Sequence, residues 1–419
     1  MIMWRYYLTL TLLSLPIVLY TAWQAVRHKS IAYFMQRMGL MVNLQYRENT
    51  VCIHAASVGE VNAVMPLIEL MDQQCPPVNI VLTTNTPTGA AIATKKLPAR
   101  FSCHLLPVDW KWAINRFMKK VQPCHVLVME TELWPNLYRI CHDRNTPVVI
   151  INGRISNRTL DNNWLKPVYR ETLLYTRSIL TRSEQDQASF IQLGAKADKT
   201  RVLGNIKFAA GVAKQSLQAE LKRPYLLAAS TREGEEKQLA LIWKYQHTAK
   251  HLLVIAPRHP KRLKQILSDL KPLDMEIAIR SKHEPITSLT DIYIVDTLGE
   301  LDRFIAHATL VFMGGSLVPR GGQNILEAAR AGKAVIFGPH MDNFADEAAL
   351  LIQRGAALQA SDAKQLDSII ALLLGAPDKL AKMAASGKQT MSEHADIHRH
   401  YLRAIIKLCP GMEHICQSE

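Results

Sequence analysis

The chain has 419 residues, 48% of them hydrophobic and 21% charged, a composition that folds and excludes long disordered regions. That length exceeds one hydrophobic core and suits two domains. A formal net charge of +14 points to an anionic partner, whether nucleic acid, a membrane surface or a phosphorylated substrate. The seven cysteines are dispersed, with no CxxC pair and no Cys/His spacing suited to zinc, and read as reduced thiols.

The first element is apolar. Residues 6–25 carry no charge, and about 20 helical residues cover roughly 30 Å, one bilayer core. Trp4, Tyr6 and Tyr7 stand at one end and Tyr20 and Trp23 at the other, where interfacial aromatics belong. Ala22-Trp23-Gln24-Ala25 is a poor cleavage site and only Arg5 precedes the apolar run, so an uncleaved signal anchor is expected over a cleaved signal peptide. Arg27 and Lys29 follow, which places the rest of the chain in the cytoplasm. Pro16 and the near-minimal length leave a shallow monotopic helix as the alternative.

Beyond the anchor, short β-branched runs at 51–54, 80–83, 125–129 and 148–151 alternate with helical patterns at 61–71, 90–97, 112–121 and 133–141. A further helix, strand and helix reach a strand at 202–203. Apolar periodicity then lapses over 208–224, a linker closed by Pro224. Strands return at 225–229, 252–255, 292–295, 310–313 and 334–337, and from Ala363 the pattern is almost wholly helical. Such alternation predicts two open, doubly wound α/β domains, with a last helix near 397–408 packing back across the seam between them.

Ligands of such sheets bind beyond the carboxyl ends of the strands, and the unusual residues stand there in series. Ser57-Val58-Gly59-Glu60, Glu130-Thr131-Glu132, Asn152-Gly153-Arg154 and Gly204-Asn205-Ile206-Lys207 follow strands of the first half. Ser230-Thr231, Pro257-Arg258-His259-Pro260 and Asp296-Thr297-Leu298-Gly299-Glu300 follow strands of the second. Two polar rims of this kind predict a cleft between the domains. Glu60 opens a helix, which suits either a general base for a hydroxyl nucleophile or an ordinary helix-start carboxylate. Glu132 reads as a structural ion-pair partner more readily than Glu130 does. Arg258, fixed between prolines, suits a phosphate.

The stretch 311–332 is a strand, a glycine turn and a helix start. The turn at Gly314, Gly315 and Ser316 leaves N–H groups suited to a phosphate or a ribose hydroxyl, and Glu327 suits two vicinal hydroxyls. An ordinary connection with glycines for geometry is the competing reading. No D-x-D pair, His cluster or GxxxxGK[ST] loop occurs, so neither a catalytic metal nor a P-loop NTPase is expected. Lys95, Lys96 and Arg100, and Lys111, Lys119 and Lys120 with Trp110 and Trp112, form basic clusters that suit an anionic membrane or a solvated face.

Taken together, HAASVGE (54–60), METELWPN (129–136), INGRIS (151–156), GNIKF (204–208), APRHP (256–260), DTLGEL (296–301) and GGSLVPRGGQNILEAA (314–329) resemble the bacterial 3-deoxy-D-manno-octulosonic acid (Kdo) transferase family over the whole chain. The resemblance implies a GT-B glycosyltransferase of two Rossmann-like domains on the cytoplasmic face of the inner membrane. It divides the chain into an anchor (1–26), an acceptor domain (27–207), a linker (208–224) and a donor domain with the C-terminal helices (225–419). It implies transfer of Kdo from CMP-Kdo to lipid IVA with inversion, without metal or cofactor and without nucleic acid as a partner. By position, Glu60 is then the base, with Glu130 and Lys207 supporting the transition state. Pro257, Arg258, Leu298, Gly299, Glu300, Asn324, Ile325, Leu326 and Glu327 are the CMP-binding residues. Arg232 and Gln323 stand where the family often has His, and Gly153 where Ala is usual. A UDP-sugar transferase and a catalytically silent, membrane-anchored nucleotide-binding protein are the rival readings.

Overall fold

The computed structural model of the chain describes residues 3–40, 46–209, 221–246, 251–409, 411–414 and 416. Most of the expected linker, residues 210–220, lies outside the described residues. By internal contacts the chain divides into Met1–Ala210 with Asp396–Glu419, and Gly211–Ala395.

The N-terminus forms α1 (Met3–Leu12), α2 (Ser14–Arg27) and α3 (Ile31–Arg37). The single helix expected over 6–25 is thus broken, with a bend of 53° between α1 and α2. Pro16 has no N–H to give Leu12 and its ring crowds that carbonyl. The turns on either side stay intact, Leu13 N donating to Thr9 O at 2.8 Å and Ile17 N to Leu13 O at 2.9 Å. No single helix among the described residues is long and apolar enough to cross a membrane, although this bent pair passes on length and composition. Leu10, Ile17, Val18 and Phe34 pack against Met38, Val108, Trp110 and Ala113.

The first sheet has seven parallel strands: β1 (Thr50–His54), β2 (Asn79–Thr84), β3 (Ser102–Leu105), β4 (His125–Met129), β5 (Val148–Gly153), β6 (Ser178–Thr181) and β7 (Thr200–Val202), in the order β3-β2-β1-β4-β5-β6-β7. Val51 pairs with Ile80 on one side and His125 on the other. The central strands are buried on both faces, which is why they read as unbroken apolar runs. Helices α4 (Val58–Gln74), α5 (Pro87–Lys96), α6 (Lys111–Val121) and α7 (Pro135–Asp143) follow β1 to β4.

The helix Ile397–Leu408 belongs with this unit, which corrects its grouping with 225–419. Its apolar stripe Ile397, Tyr401, Leu402 and Ile405 is buried in the same core as Val61, Val64 and Ile68 of α4, and Tyr401 Oη donates to Gly204 O at 2.9 Å. Cys75 and Cys416 form a disulfide, so the expectation of reduced thiols throughout is also corrected. The other five cysteines are free thiols.

The second unit repeats the layered plan with β8 (Tyr225–Thr231), β9 (Leu252–Pro257), β10 (Ile277–Ile279), β11 (Ile292–Ile294), β12 (Leu310–Met313), β13 (Val335–Phe337) and β14 (Ala357–Gln359). All are parallel, in the order β10-β11-β9-β8-β12-β13-β14. In each sheet the crossover direction reverses once, between β1 and β4 and between β8 and β12, the switch points at which open α/β sheets bind ligands.

Candidate active site

The candidate residues of the first unit gather at the carboxyl ends of β1, β4, β5 and β7. Ser57 caps α4, accepting Glu60 N–H at 3.3 Å, and its hydroxyl donates to Glu60 Oε1 at 2.8 Å. Ala56 N–H donates to Glu60 Oε2 at 2.8 Å. This is a variant of the capping box in which the carboxylate reaches the N–H one residue before the cap, so the helix-start reading of Glu60 holds geometrically. Its protonation is nevertheless unusual. Burial, and then the charge of Glu130, push its carboxyl up to about 7. A carboxyl titrating there exists in both forms near neutral pH, which is what a general base requires.

Glu130 follows β4 in the left-handed region, φ 55°, a conformation that costs a non-glycine residue of order 1 kcal/mol or more. Lys207 Nζ lies 2.7 Å from its Oε1, so the predicted residues Glu130 and Lys207 are brought together as an ion pair. Glu132 points elsewhere: its Oε2 accepts from Trp134 Nε1 at 2.9 Å and Asn85 Nδ2 at 3.1 Å, and lies 3.6 Å from Nε2 of the fully buried His54. Burial raises its pKa, but His54, Trp134 and Asn85 outweigh burial and hold it below the ordinary carboxylate value. The structural reading of Glu132 fits this geometry. Arg154 offers its carbonyl to Thr131 Oγ1.

Asp109 is a capping residue at this edge of the sheet that the sequence conceals. Fully buried after β3, it accepts from Asn136 N at 2.8 Å and Leu137 N at 2.9 Å, capping α7 from another part of the chain. Pro135 at the first helical position has no N–H to satisfy. Tyr6 Oη in α1 donates to the same carboxylate at 2.7 Å, and Tyr7 Oη to Asn136 Oδ1 at 3.2 Å. The N-terminal helix is thereby fastened to the carboxyl edge of the sheet.

In the second unit β11, β9, β8 and β12 are neighbours, and their carboxyl ends carry 296–300, Pro257-Arg258, Ser230-Thr231-Arg232 and the glycine turn. The glycine turn is not open. Glu235, fully buried, accepts from Gly315 N at 2.7 Å, Ser316 N at 3.0 Å, Leu317 N at 2.9 Å and Arg232 N at 2.7 Å. Ser316 Oγ accepts from Gly338 N at 2.8 Å and donates to Met313 O. The expectation that the N–H groups of Gly315 and Ser316 await a phosphate is therefore corrected: an internal carboxylate holds them. Gly314 is required for a different reason, since a Cβ there would stand 2.6 Å from Thr231 Cα.

The cationic groups remain. Arg232 Nη1 lies 2.8 Å from His259 Nε2, and burial together with the charges of Arg258, Arg320 and Arg262 pushes its pKa below the ordinary value. A group of cations that disfavours its own charge suits an anion. Asn324 Nδ2 donates to Glu327 Oε1 at 3.0 Å and its Oδ1 accepts Leu326 N at 3.1 Å. Burial, then Asp302, raises the Glu327 pKa, while Asn324 and Arg258 oppose the rise. Ile325 and Leu326 are buried and serve packing. Leu298 is exposed, Gly299 lies in the left-handed region at φ 85°, and Glu300 is held by Arg280 at 2.9 Å, which lowers its pKa.

A family model described as "3-Deoxy-D-manno-octulosonic-acid transferase (kdotransferase)" matches residues 32–210. The chain is 33% identical over 376 residues to the 3-deoxy-D-manno-octulosonic acid transferase of Bordetella pertussis, covering 85% of this chain and 86% of that protein. It is 32% identical over 418 residues to the enzyme of the same name from Haemophilus influenzae, covering 94% and 96%. In fold it is similar to a UDP-GlcNAc 2-epimerase from Neisseria meningitidis, with a TM-score of 0.58 at 13% identity over 85% of this chain and 100% of that one. A glycosyltransferase from Rickettsia africae gives 0.57 at 13% identity over 88% and 100%.

Proposed function

Because the chain belongs to the 3-deoxy-D-manno-octulosonic acid (Kdo) transferase family and is a glycosyltransferase, we propose that it moves Kdo from CMP-Kdo to lipid IVA at the inner membrane. The observation that carries the mechanism is Glu60, a buried carboxylate at the carboxyl end of β1 whose proton affinity is raised to about 7.

The step is an inverting displacement that needs no metal ion. The hydroxyl proton of the acceptor passes to the Glu60 carboxylate. The oxygen's electron pair forms the bond to the anomeric carbon of Kdo, and the bond from that carbon to the phosphate oxygen breaks, its pair leaving with CMP. Lys207, paired with Glu130 at 2.7 Å, steadies developing negative charge, and Glu130 keeps Lys207 in place. Arg258, with Arg232 beside it, receives the phosphate, and Glu327, oriented by Asn324, receives the ribose hydroxyls. The bent α1–α2 pair holds the protein to the membrane, and Arg27 and Lys29 keep the catalytic units on the cytoplasmic side.

Purified full-length protein incubated with CMP-Kdo and lipid IVA in the presence of EDTA tests this. The expected product is lipid IVA heavier by one or more Kdo residues. No product with CMP-Kdo, or a product from a UDP-sugar instead, would overturn the reading.

A further inference from the structure

The first unit contains a cavity of about 390 Å³ between the N-terminal helices and the carboxyl edge of the sheet. Leu10, Ser14 and Val18 line it from one stripe that crosses the bend between α1 and α2. Met38, Trp110 and Trp112 line it from the body of the unit. The volume falls within the roughly 300–1,000 Å³ of small-molecule sites. Its walls are chiefly hydrocarbon and aromatic, and water there would find few polar partners.

Three features restrict what fills it. Trp110 is only 7% exposed, yet its indole N–H is buried without an acceptor among the described residues. A buried donor left unpaired costs about 1–3 kcal/mol, so a small side-chain shift that lets an oxygen of the occupant reach it is favoured. Lys111, exposed on the rim, and Arg116, 5.1 Å above the Trp112 ring, offer positive charge at the cavity edge. Trp110 and Trp112 stack at 5.4 Å, which makes that wall flat and rigid. A chain of methylenes carrying a carbonyl and an anionic head satisfies all three.

Location decides which amphiphile. The cavity walls Trp110 and Asn136 follow β3 and β4, at the same end of the same sheet as Glu60 and Glu130. Arg37, next to Met38, donates to Asn85 Oδ1 at 3.4 Å, and Asn85 donates to Glu132 at 3.1 Å. We propose that this cavity takes one acyl chain of the acceptor lipid, with a carbonyl of that chain on the Trp110 N–H and the sugar phosphate at Lys111. It rests on the reading of the acceptor as an acylated, phosphorylated sugar. Chain burial then sets the acceptor sugar at the carboxyl edge, so the cavity acts in acceptor selection.

Full-length protein in phosphatidylcholine nanodiscs is irradiated with an N-dodecanoyl glucosamine phosphate whose chain ends in a diazirine. Label on peptides holding Leu10, Val18 or Met38, competed by lipid IVA and lost in Val18→Trp, is expected. Label confined to the outward side chains Leu12, Leu15 and Leu19, or label that survives Val18→Trp, overturns the proposal. Thr11→Phe fills the cavity from its exposed wall and serves if Val18→Trp fails to fold. Trp110→Phe removes the N–H together with part of the ring system, and should lower the ratio of kcat/KM for lipid IVA over deacylated lipid IVA by about three- to tenfold. An unchanged ratio removes the carbonyl contact. Labelling that lipid IVA competes, in a protein that transfers no Kdo, would fault the proposed activity and leave the cavity standing.

Discussion

Glu235 accepts the backbone N–H of Gly315 at 2.7 Å, and its other contacts make it the anion held by the glycine turn. A carboxylate with four backbone donors replaces the phosphate that such a turn otherwise holds. Its role is to shape the loop that leads to Asn324 and Glu327. Glu235→Gln keeps the shape but loses charge from a buried network and turns an amide N–H toward donors. The expected loss is about 2–4 kcal/mol of stability, read by denaturant unfolding, with CMP affinity per folded molecule reduced less than tenfold. Unchanged stability would mean that the turn holds itself.

Donor binding divides differently. Arg258→Ala and Glu327→Ala each remove one charged hydrogen bond from the proposed donor site, worth about 1.5–3 kcal/mol, or roughly 10- to 150-fold in CMP affinity by calorimetry. Arg232→Ala removes one of several mutually repelling cations, so it should leave the unliganded protein equally or more stable while still weakening CMP. A CMP affinity unaltered in all three variants would place the nucleotide elsewhere.

The contact of Tyr6 with Asp109 ties α1 to α7. Tyr6→Phe removes the one donor from α1 and leaves Asp109 buried with two backbone partners. Amide exchange across 3–12 should quicken by about 5- to 100-fold, as the loss of a charged, buried hydrogen bond would give, with α7 little affected. Burial lifts the Asp109 carboxyl to about 7, so its native state binds a proton that the unfolded state releases near pH 4. The sign is therefore a stability that falls as pH rises from about 4 through 7. Asp109→Asn should flatten that slope.

Much of this was readable in the sequence, and the exceptions have physical causes. Central strands such as β1 and β4 are buried on both faces and betray themselves by composition. The edge strands β3, β10 and β14 are three or four residues long and partly polar or exposed, so no long run of apolar residues announces them. Glu60 was readable because Ser57-x-x-Glu60 is a helix-start pattern at a strand end. Its elevated proton affinity was not, since that arises from burial and from Glu130, which lies seventy positions away. Glu235 opens a helix beside Glu236, and nothing local marks the N–H groups of 315–317 as its partners. Asp109 sits in an unremarkable Val-Asp-Trp, and its partners come from α1 and α7. The last helix, 397–408, follows the second unit in sequence, yet its apolar stripe fits α4.

Glu60 is the decisive residue, because its geometry serves two masters. As the third residue of a capping box it stabilises α4, and glutamine serves that role nearly as well as glutamate. As the proposed base it must be deprotonated and then take the acceptor's hydroxyl proton, which glutamine cannot do. Glu60→Gln should therefore retain the fold and CMP binding while turnover drops by about 10²–10⁴-fold. The pH dependence sharpens the test. Burial raises the folded-state carboxyl from 4.5 to about 7, so the native protein holds a proton in that window which the unfolded chain has released. Stability from this group is fully present below about 4.5 and is lost as pH rises through 7, because the charge must then be buried. Glu60→Gln should thus be more stable than the parent at pH 8 and show little gain at pH 4. The parent's kcat/KM should climb with pH to a plateau above about 7, and the residual rate of the variant should lack that limb. Near-parental turnover in Glu60→Gln would reduce Glu60 to a cap, and the base would then be sought at Glu130, whose pairing with Lys207 would have to open first.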